Sequence, residues 1–223
     1  MKKYTVGIPD EEFIRGKVPM TKEEIRILTL AKARIGRGDL VADIGAGTGS
    51  ISCEAALQAT DGKVFAIERK AEGIELIKAN AEEFGIENLH IIQAEAPEGM
   101  EQLPQLDRAI IGGSGSHLEP ILDQLDELLK PEGNTFILQQ PVVSFGKAVV
   151  ADQLDELLKP EGRIILNCIT VQTLMQCLNY MRSKENYSYE TIQVQVNHWE
   201  QVGPYDMAKA ANPIFIVTCV KNK

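Results

Sequence analysis

The sequence has no apolar run long enough to cross a bilayer. Its apolar runs, such as residues 64–67 and 214–217, are only four residues long, whereas a membrane-spanning helix needs about 20 residues. The first residues, Met1-Lys2-Lys3-Tyr4, are followed by polar residues rather than by an apolar segment. No secretory leader is therefore expected, and we expect no membrane partner.

Cysteine is also scarce, and the spacing of the cysteines argues against disulfide bonds and against a zinc site. The four cysteines are scattered as Cys53, Cys168, Cys177 and Cys219, without a C-x-x-C pair and without a histidine close by in sequence. Disulfides and a zinc site are therefore not expected. Reduced thiols favour a cytoplasmic location, and we expect no metal ligands.

Positive charge is in deficit as well. Lysine and arginine number 23 against 32 acidic residues, which gives a net charge of −9 and a pI near 5.0. This balance argues against nucleic acid or an anionic membrane as a partner of the whole surface, although a local basic patch remains compatible with it. With 44% hydrophobic residues and 223 residues in all, the chain is expected to form one globular domain, 1–223.

An eleven-residue sequence, DQLDELLKPEG, occurs at residues 123–133 and again at 152–162. The offset is 29 residues, and the identity stops at both ends. Natural solenoid repeats drift in sequence and recur more than twice. The repeat therefore indicates a very recent duplication or an engineered insertion. The second is favoured because residues 134–151 form good strand and helix sequence. Removing an insert of about 134–162 leaves a parent of 194 residues.

Strand-like and helix-like segments alternate along the chain. The first helix is expected to begin after Thr21, because Glu24 follows three residues later as in a capping box. The alternation predicts an α/β fold with a doubly wound, mostly parallel, Rossmann-like sheet. The last two strands, at 189–197 and 214–217, have no helix between them and should form an antiparallel pair at one edge.

Two arrangements of the insert compete. Residues 135–138 have strand character and 144–158 have helix character, so the insert can add a strand–helix unit between the fourth and fifth strands. Alternatively, the insert loops out, and one copy of the repeat occupies the original helix position. The added unit is favoured, because residues 135–138 are apolar on both faces. Residues 1–111 should be unaffected in either arrangement.

The most informative motif is a glycine turn between a strand and a helix, G-A-G-T-G at residues 45–49. Glycines allow a tight turn and a close approach of a ligand to the backbone. A dinucleotide fingerprint requires a sixth-position glycine, but that position is Ser50. Asp43 precedes the turn, where it favours a cationic group, and Glu68 ends the next strand, where ribose hydroxyls bind in such folds. The alternative is a tight turn without a ligand.

This motif resembles that of the class I S-adenosylmethionine-dependent methyltransferases. The flanking sequences GIPDEEF at 7–13 and PMTKEEIR at 19–26 resemble the N-terminal signature of the cobalamin-pathway C15 methyltransferases. AEAPE at 94–98 and IGGSG at 111–115 are similar to further family sequences, although the family has Gly-Asp in place of Ala94-Glu95. The resemblance covers the chain except the insert.

The resemblance implies S-adenosyl-L-methionine as the cofactor and a tetrapyrrole corrin precursor as the substrate. The implied reaction of cobalamin biosynthesis methylates C15 and decarboxylates the C12 acetate, and the implied assembly is a homotetramer. Asp43 would lie near the methionine end, Glu68 would bind the ribose, and Glu95 with Ala96 would line the adenine pocket. The implied cofactor contacts are Thr21, Asp43, Gly45, Ala46, Gly47, Thr48, Gly49, Glu68, Glu95 and Ala96.

Substrate contacts are expected on the flanking segments. The carboxylates of a corrin precursor need local positive charge, so Arg15, Lys17, Lys22 and Lys209 are hypothesised to form a basic rim. His117 has an alternative role as a surface residue at a helix start. No catalytic residue is assigned, because in-line methyl transfer needs no general base. The expected substrate contacts are Gly113, Ser114, His117, Arg15 and Lys17.

Three other functions compete with this interpretation. One is a nicotinamide-dependent oxidoreductase, which Ser50 disfavours. Another is a methyltransferase of RNA or of another small molecule, because a fold does not determine a substrate. The third is an engineered protein that binds the cofactor without turnover.

Overall fold

The computed structural model describes residues 6–129 and 162–222. Within these ranges, the helices are α1 Glu23–Ala33, α2 Ser50–Gln58, α3 Ala71–Glu83, α4 Leu118–Leu128 and α5 Val171–Arg182. The strands are β1 Leu40–Ile44, β2 Lys63–Glu68, β3 Leu89–Gln93, β4 Arg108–Ile111, β5 Arg163–Cys168, β6 Tyr187–Val194, β7 Asn197–Val202, β8 Tyr205–Ala210 and β9 Ile214–Lys221.

Seven strands form one sheet in the order β3-β2-β1-β4-β5-β9-β6. The first five strands are parallel, and β9 runs antiparallel to both of its neighbours, β5 and β6. The predicted mostly parallel, doubly wound sheet with a C-terminal antiparallel pair is therefore confirmed. The chain order reverses between β1 and β4, and the carboxyl ends of the strands leave a crevice at such a reversal.

Apolar side chains fill both faces of the sheet, as a helix-covered parallel sheet requires. One layer contains Leu30 of α1, and the opposite layer contains Leu125 of α4. The alternation is visible within β1, where Val41 belongs to the first layer and Ala42 to the second. In the described ranges, no helix combines the length and apolarity needed to span a membrane.

A β7–β8 hairpin forms a second small sheet that the sequence interpretation missed. The prediction extended one strand to Asn197, whereas β6 ends at Val194 and Asn197 begins β7. All residues of both hairpin strands are exposed, including Trp199 and Tyr205 at 72% and 71% exposure. A strand that buries neither face leaves no hydrophobic alternation to detect.

No inserted strand separates the fourth strand from the fifth in the sheet. β4 pairs directly with β5, with Ala109 opposite Ile164, so no strand lies between them. The first copy of the repeat contributes the second half of α4, in which Leu125 is fully buried. The predicted strand at 135–138, the predicted helix at 144–158 and nearly all of the second copy lie outside the described residues.

The chain leaves and re-enters the described fold beside one lysine. The Lys221 side-chain nitrogen lies 3.4 Å from the carbonyl oxygen of Leu129, the last described residue before the gap. The backbone nitrogen of the same lysine donates to the carbonyl oxygen of Gly162, the first residue after the gap, at 3.0 Å. Leu129 and Gly162, the described residues on either side of the gap, are therefore close together in space.

The predicted capping box at Thr21 is also wrong. The residue that precedes α1 is Lys22, and no side chain caps this end of the helix. Instead, the carbonyl oxygen of Thr21 accepts a hydrogen bond from the Arg26 guanidinium at 2.6 Å. A tertiary contact has replaced the local one, because Arg26 is fully buried at this point.

Candidate functional site

The glycine turn lies at the carboxyl end of β1, against two other segments. A β-carbon at Gly45 would lie 2.3 Å from the carbonyl oxygen of Gly113, and one at Gly47 would lie 2.9 Å from that of Pro19. Both glycines have positive φ, at 72° and 60°. Glycine alone permits these approaches. The turn therefore brings the loop after β4 and the N-terminal segment to one crevice.

A cavity of about 330 Å³ opens at this crevice. It brings together most of the residues expected from the sequence, while Thr48 and Gly49 belong to the turn but do not line the cavity. The expected site residues that line it are Thr21, Asp43, Gly45, Ala46, Gly47, Glu68, Glu95, Ala96, Gly113 and Ser114.

Four of the expected substrate-side residues do not line the cavity: Arg15, Lys17, His117 and Lys209. Arg15 contacts the backbone of Asp10, with Nε 3.2 Å from its carbonyl oxygen. His117 directly precedes α4, and its Nδ1 is buried without a hydrogen-bond partner among the described residues. The cations that do line the cavity are Lys22, Arg69 and Lys70.

Asp43 is buried at the end of β1 with one oxygen satisfied. Its Oδ2 accepts a hydrogen bond from Ser52 Oγ at 2.5 Å, whereas Oδ1 has no partner within the described part of the chain. Burial raises the pKa of Asp43 to about 6, against the opposing effect of the Ser52 hydrogen bond, and the nearby Glu68 charge adds to the rise. A buried carboxylate with an unused acceptor favours a cationic group beside it.

Glu68 holds the turn in place as well as lining the cavity. Its Oε2 accepts from the backbone nitrogen of Gly47 at 2.9 Å, and its Oε1 accepts from that of Lys70 at 2.8 Å. Each carboxylate oxygen has two acceptor sites, so Glu68 retains capacity for a ligand hydroxyl. The structural role and the binding role of this residue are therefore compatible.

An exposed ion pair lies at the outer edge of the cavity. Arg69 contacts Glu95 at 2.6 Å between nitrogen and oxygen, and both side chains are about half exposed. Such surface pairs contribute about 0–1 kcal/mol to stability. This edge is consequently easier to rearrange around a ligand than the buried carboxylates are.

The sequence interpretation assigned no role to a buried ion pair that anchors residues 6–22, which we call the N-terminal strap. The Arg26 Nε lies 2.6 Å from Glu54 Oε1, and both side chains are fully buried. Glu54 also accepts from the backbone nitrogens of Gly7 and Ile8, at 2.7 and 3.1 Å. Arg26 also reaches a second carboxylate, Asp10 of the strap, at 3.2 Å. The strap is thereby attached to α1 and α2.

The position of Arg26 in its helix is the sequence feature that could have revealed this buried pair. Arg26, Thr29 and Ala33 are buried in α1 at helical spacing, so a charged residue occupies an inward-facing position. Charged residues are seldom fully buried unless they are paired. This pattern predicts a buried partner, although it does not identify Glu54.

Asn80 fastens the strap to the glycine turn. Its Oδ1 accepts from the backbone nitrogen of Ile14 at 2.7 Å, and its Nδ2 donates to the carbonyl oxygens of Ile14 and Thr48 at 3.1 and 3.0 Å. The side chain is fully buried in α3. One amide therefore couples the strap, the turn and a helix, which supports the strap as a wall of the cavity.

The sequence interpretation also missed Asn167, near the end of β5. It lines the cavity from β5, which lies two strands away from β1 in the sheet. A single asparagine in an otherwise apolar strand is a weak signal by itself. No group of three or more potential metal ligands occurs within residues 6–129 and 162–222.

A Rossmann-like sheet with a G-x-G-x-G first turn, an acidic residue before that turn and a second acidic residue at the end of β2 is the arrangement of class I S-adenosylmethionine-dependent methyltransferases. The strand order, with an antiparallel strand inserted next to the edge, agrees with this class. The fold and the crevice thus define a methyltransferase.

Comparison with known proteins narrows the class to a family. The family described as "Precorrin methyltransferase domain" matches residues 12–139. The chain is 38% identical over 214 residues, with 95% of each chain covered, to a probable cobalt-precorrin-6B C(15)-methyltransferase (decarboxylating) from Sulfolobus acidocaldarius. It is 32% identical over 215 residues, with 96% of each chain covered, to the cobalt-precorrin-6B C(15)-methyltransferase (decarboxylating) of Salmonella typhimurium.

A solved structure agrees with these relatives. The crystal structure of precorrin-6y C5,15-methyltransferase from Geobacter metallireducens has a TM-score of 0.81 and 32% identity, covering 99% of this chain and 100% of its own. The chain therefore belongs to the precorrin methyltransferase family, and it is an enzyme of the methyltransferase class. These relatives do not favour the oxidoreductase or RNA-methyltransferase alternatives.

Proposed function

We propose that this protein uses S-adenosyl-L-methionine to methylate C15 of a cobalt-precorrin-6B-type corrin precursor and removes the carboxylate of its C12 acetate, in cobalamin biosynthesis. The relatives' names describe C15 methylation with decarboxylation. The observation that carries the proposal is the acidic crevice, where Asp43 Oδ1 has no partner in the described ranges and Glu68 lines the same cavity.

The residues present fit the cofactor. Asp43 would face the methionine end, the turn at Gly45 and Gly47 would lie against the methionine and ribose, Glu68 would accept from ribose hydroxyls, and Glu95 would line the adenine pocket with Ala96. When bound, the cofactor supplies a methyl group on a positively charged sulfur. At neutral pH Asp43, with a pKa of about 6, is ionised and complements positive charge.

The chain's contribution to methyl transfer is alignment and exclusion of water. The strap closes one side of the cavity through Pro19 and Thr21, and the loop after β4 closes another through Gly113 and Ser114. Holding two reactants in line accounts for a large part of the rate of such displacements. No general base is assigned.

The substrate's carboxylates meet positive charge at the rim. Lys22 lines the cavity with its ammonium group 3.2 Å from Asp10 and a largely exposed side chain. Arg69 and Lys70 also line the cavity. We include Arg15 and Lys17 on the strap as an outer extension of this rim, and charge reversal at both should weaken substrate binding if they belong to it.

The proposal extends to assembly and location. Family resemblance favours a homotetramer, and the β7–β8 hairpin exposes Trp199, Tyr205 and Met207, which suits burial against another copy of the chain. Sedimentation of the intact protein tests this assembly. All four cysteines are free and buried, which agrees with the proposed cytoplasmic location.

Calorimetry and turnover test the proposal separately. We expect S-adenosylhomocysteine to bind and NAD not to bind, and binding of NAD alone would overturn the cofactor assignment. Incubation with S-adenosyl-L-methionine and cobalt-precorrin-6B, followed by mass spectrometry, should show a gained methyl group and a lost carboxylate. Binding without turnover would retain the cofactor assignment and favour an inert engineered protein.

A further inference from the structure

One wall of the cavity is formed by the end of β5 and the start of β9. In the antiparallel register Asn167 lies opposite Ile216, so Ile169 and Ile214, two residues away on each strand, continue the same face of the sheet. Asn167, Ile169 and Ile214 all line the cavity, as does Ile25 of α1. This β5–β9 wall is therefore one amide among three isoleucines.

The amide of Asn167 has one end held and one end unused. Thr29 Oγ1 lies 3.1 Å from Asn167 Oδ1 and 2.7 Å from the carbonyl oxygen of Ile25, so its single proton is shared between these two acceptors and links the amide oxygen to α1. The amide nitrogen is buried without a hydrogen-bond partner among the described residues. An unpaired buried donor costs about 1–3 kcal/mol, and a ligand that brings an acceptor would recover this energy.

The charged groups of the cavity lie on other segments. Lys22 belongs to the strap and pairs with Asp10 at 3.2 Å, and Arg69 follows β2 and pairs with Glu95 at 2.6 Å. Asp43 lies at the end of β1. A carboxylate at the β5–β9 wall would consequently meet a neutral donor in apolar surroundings rather than a cation.

On the basis of the proposed function, we propose that Asn167 contacts and positions the acetate carboxylate that the substrate loses. In that step the bond between the acetate methylene and its carboxylate carbon breaks, carbon dioxide leaves, and the bonding pair passes into the conjugated macrocycle. A proton from solvent then adds to the methylene carbon, so that the acetate becomes a methyl group.

The apolar wall favours this step for a physical reason. A carboxylate among isoleucine side chains is stabilised less than one beside an ammonium group, because burial disfavours the localised charge. Its charge spreads into the macrocycle as carbon dioxide leaves, so the wall destabilises the starting state more than the product. One neutral donor suffices to hold the carboxylate in place.

The test compares two variants that keep the size of the residue they replace. Asn167→Asp retains the acceptor for Thr29 but replaces the donor with an anionic oxygen, and Thr29→Val removes only the hydroxyl that fixes the amide. Each variant and the wild type are incubated with S-adenosyl-L-methionine and cobalt-precorrin-6B, and mass spectrometry resolves methylation from carboxylate loss. Calorimetry measures the affinity for S-adenosylhomocysteine.

We expect Asn167→Asp to lower decarboxylation relative to methylation by about 10- to 100-fold, so that methylated product retaining its carboxylate accumulates. Thr29→Val should give a smaller change in the same ratio, and because Thr29 does not line the cavity, this variant should bind S-adenosylhomocysteine like the wild type. An unchanged ratio would overturn the inference, as would an equal fall in both reactions. Absence of both reactions in the wild type would instead overturn the proposed function.

Discussion

The cofactor end of the crevice and the β5–β9 wall are built from opposite chemistry. At the ends of β1 and β2, two buried carboxylates line the cavity, and Glu68 is held by backbone nitrogens at 2.8 and 2.9 Å. At the ends of β5 and β9, the wall consists of isoleucines and one amide, and Ile169 is 66% exposed. The first region suits a fixed, positively charged ligand. The second suits a large substrate that enters from solvent.

The two regions also differ in what supports them. The strap beside the cofactor end is anchored by fully buried polar side chains, Arg26, Glu54 and Asn80. The β5–β9 wall is supported mainly by strand pairing and by apolar packing under α1. Buried polar anchoring is thus concentrated around the proposed cofactor site rather than around the proposed substrate wall. Four variants test this contrast.

The largest effect is expected from Arg26→Met, which leaves Glu54 buried without its partner. Breaking a buried pair from one side costs about 3–5 kcal/mol, so the free energy of unfolding should fall by that order and the strap should loosen. Denaturant unfolding measures the change, and calorimetry should show weaker binding of S-adenosylhomocysteine. Arg37→Met, which breaks an exposed pair with Asp61, is the control and should change neither quantity. Equal stability of the two variants would refute the anchoring role.

A smaller effect is expected from Glu68→Gln. The amide keeps the shape but turns one acceptor oxygen into a donor, which then faces the backbone nitrogen of Gly47 or Lys70. Hydrogen bonds to a charged group contribute about 1.5–3 kcal/mol, so affinity for S-adenosylhomocysteine should fall by about 10- to 100-fold in calorimetry. The matched change at the exposed edge, Glu95→Gln, should lower the affinity for S-adenosylhomocysteine by about threefold or less. A reversed ranking would mean that the buried carboxylate is not the binding group.

The pH dependence of cofactor binding should report Asp43. Because the pKa of Asp43 in the folded protein is raised to about 6, the ionised form that complements a cation disappears as the pH falls below that value. Affinity for S-adenosyl-L-methionine should decrease by up to about tenfold per pH unit below 6. Asp43→Asn should bind weakly with a flat profile between pH 5 and 7. An unchanged slope in this variant would assign the titration to another group.

The same shift has a defined effect on stability. Between the unfolded pKa, near 3.9, and the folded value of about 6, the folded state binds more protons than the unfolded state. The contribution of Asp43 to stability therefore decreases as the pH rises through this window. In the Asp43→Asn variant this pH-dependent contribution is absent, so the difference in the free energy of unfolding between pH 4 and pH 7 should change relative to the wild type. Denaturant unfolding at the two pH values measures this difference.

The smallest effect on the cofactor end is expected from removing residues 134–162, which joins Gly133 directly to Arg163. Leu129 and Gly162 both contact Lys221, and in the shortened chain Gly133, which ends the first copy of the repeat as Gly162 ends the second, takes the place of Gly162. Residues 130–133 should therefore connect Leu129 to Arg163 without moving β4 or β5. Affinity for S-adenosylhomocysteine should equal that of the full chain. A large loss would show that the insert supports the cofactor end, contrary to the contrast drawn above.

The two copies of the repeat have identical sequences, but the residues that precede them differ. The first copy is preceded by Leu118, Ile121 and Leu122, all of which are buried in α4. The corresponding residues before the second copy are Lys147, Val150 and Ala151. Replacing buried leucines by lysine and alanine costs several kcal/mol of apolar burial. The residues that precede the first copy therefore explain why this copy forms the end of α4. The engineered origin of the insert stays a prediction.

The capping box and the missed hairpin show where local patterns were insufficient. Thr21 and Glu24 have the right spacing for a cap, but Arg26 uses the Thr21 carbonyl oxygen and the helix begins without a side-chain cap. The β7–β8 hairpin buries neither face, so no alternation marked it. Both misses arise because the deciding contacts lie outside the local segment.

The sequence by itself determined the alternation of strands and helices, the glycine turn and the acidic residues at the ends of β1 and β2, because these depend on periodicity and on backbone conformations available within a few residues. Only the tertiary structure decided that Arg26 and Glu54 meet, that β4 pairs with β5 and that Asn167 keeps an unused donor in the cavity wall. Such contacts join residues far apart in the sequence, and Thr29 and Asn167 are separated by 138 positions. Their energies depend on burial and geometry, which no short sequence window contains.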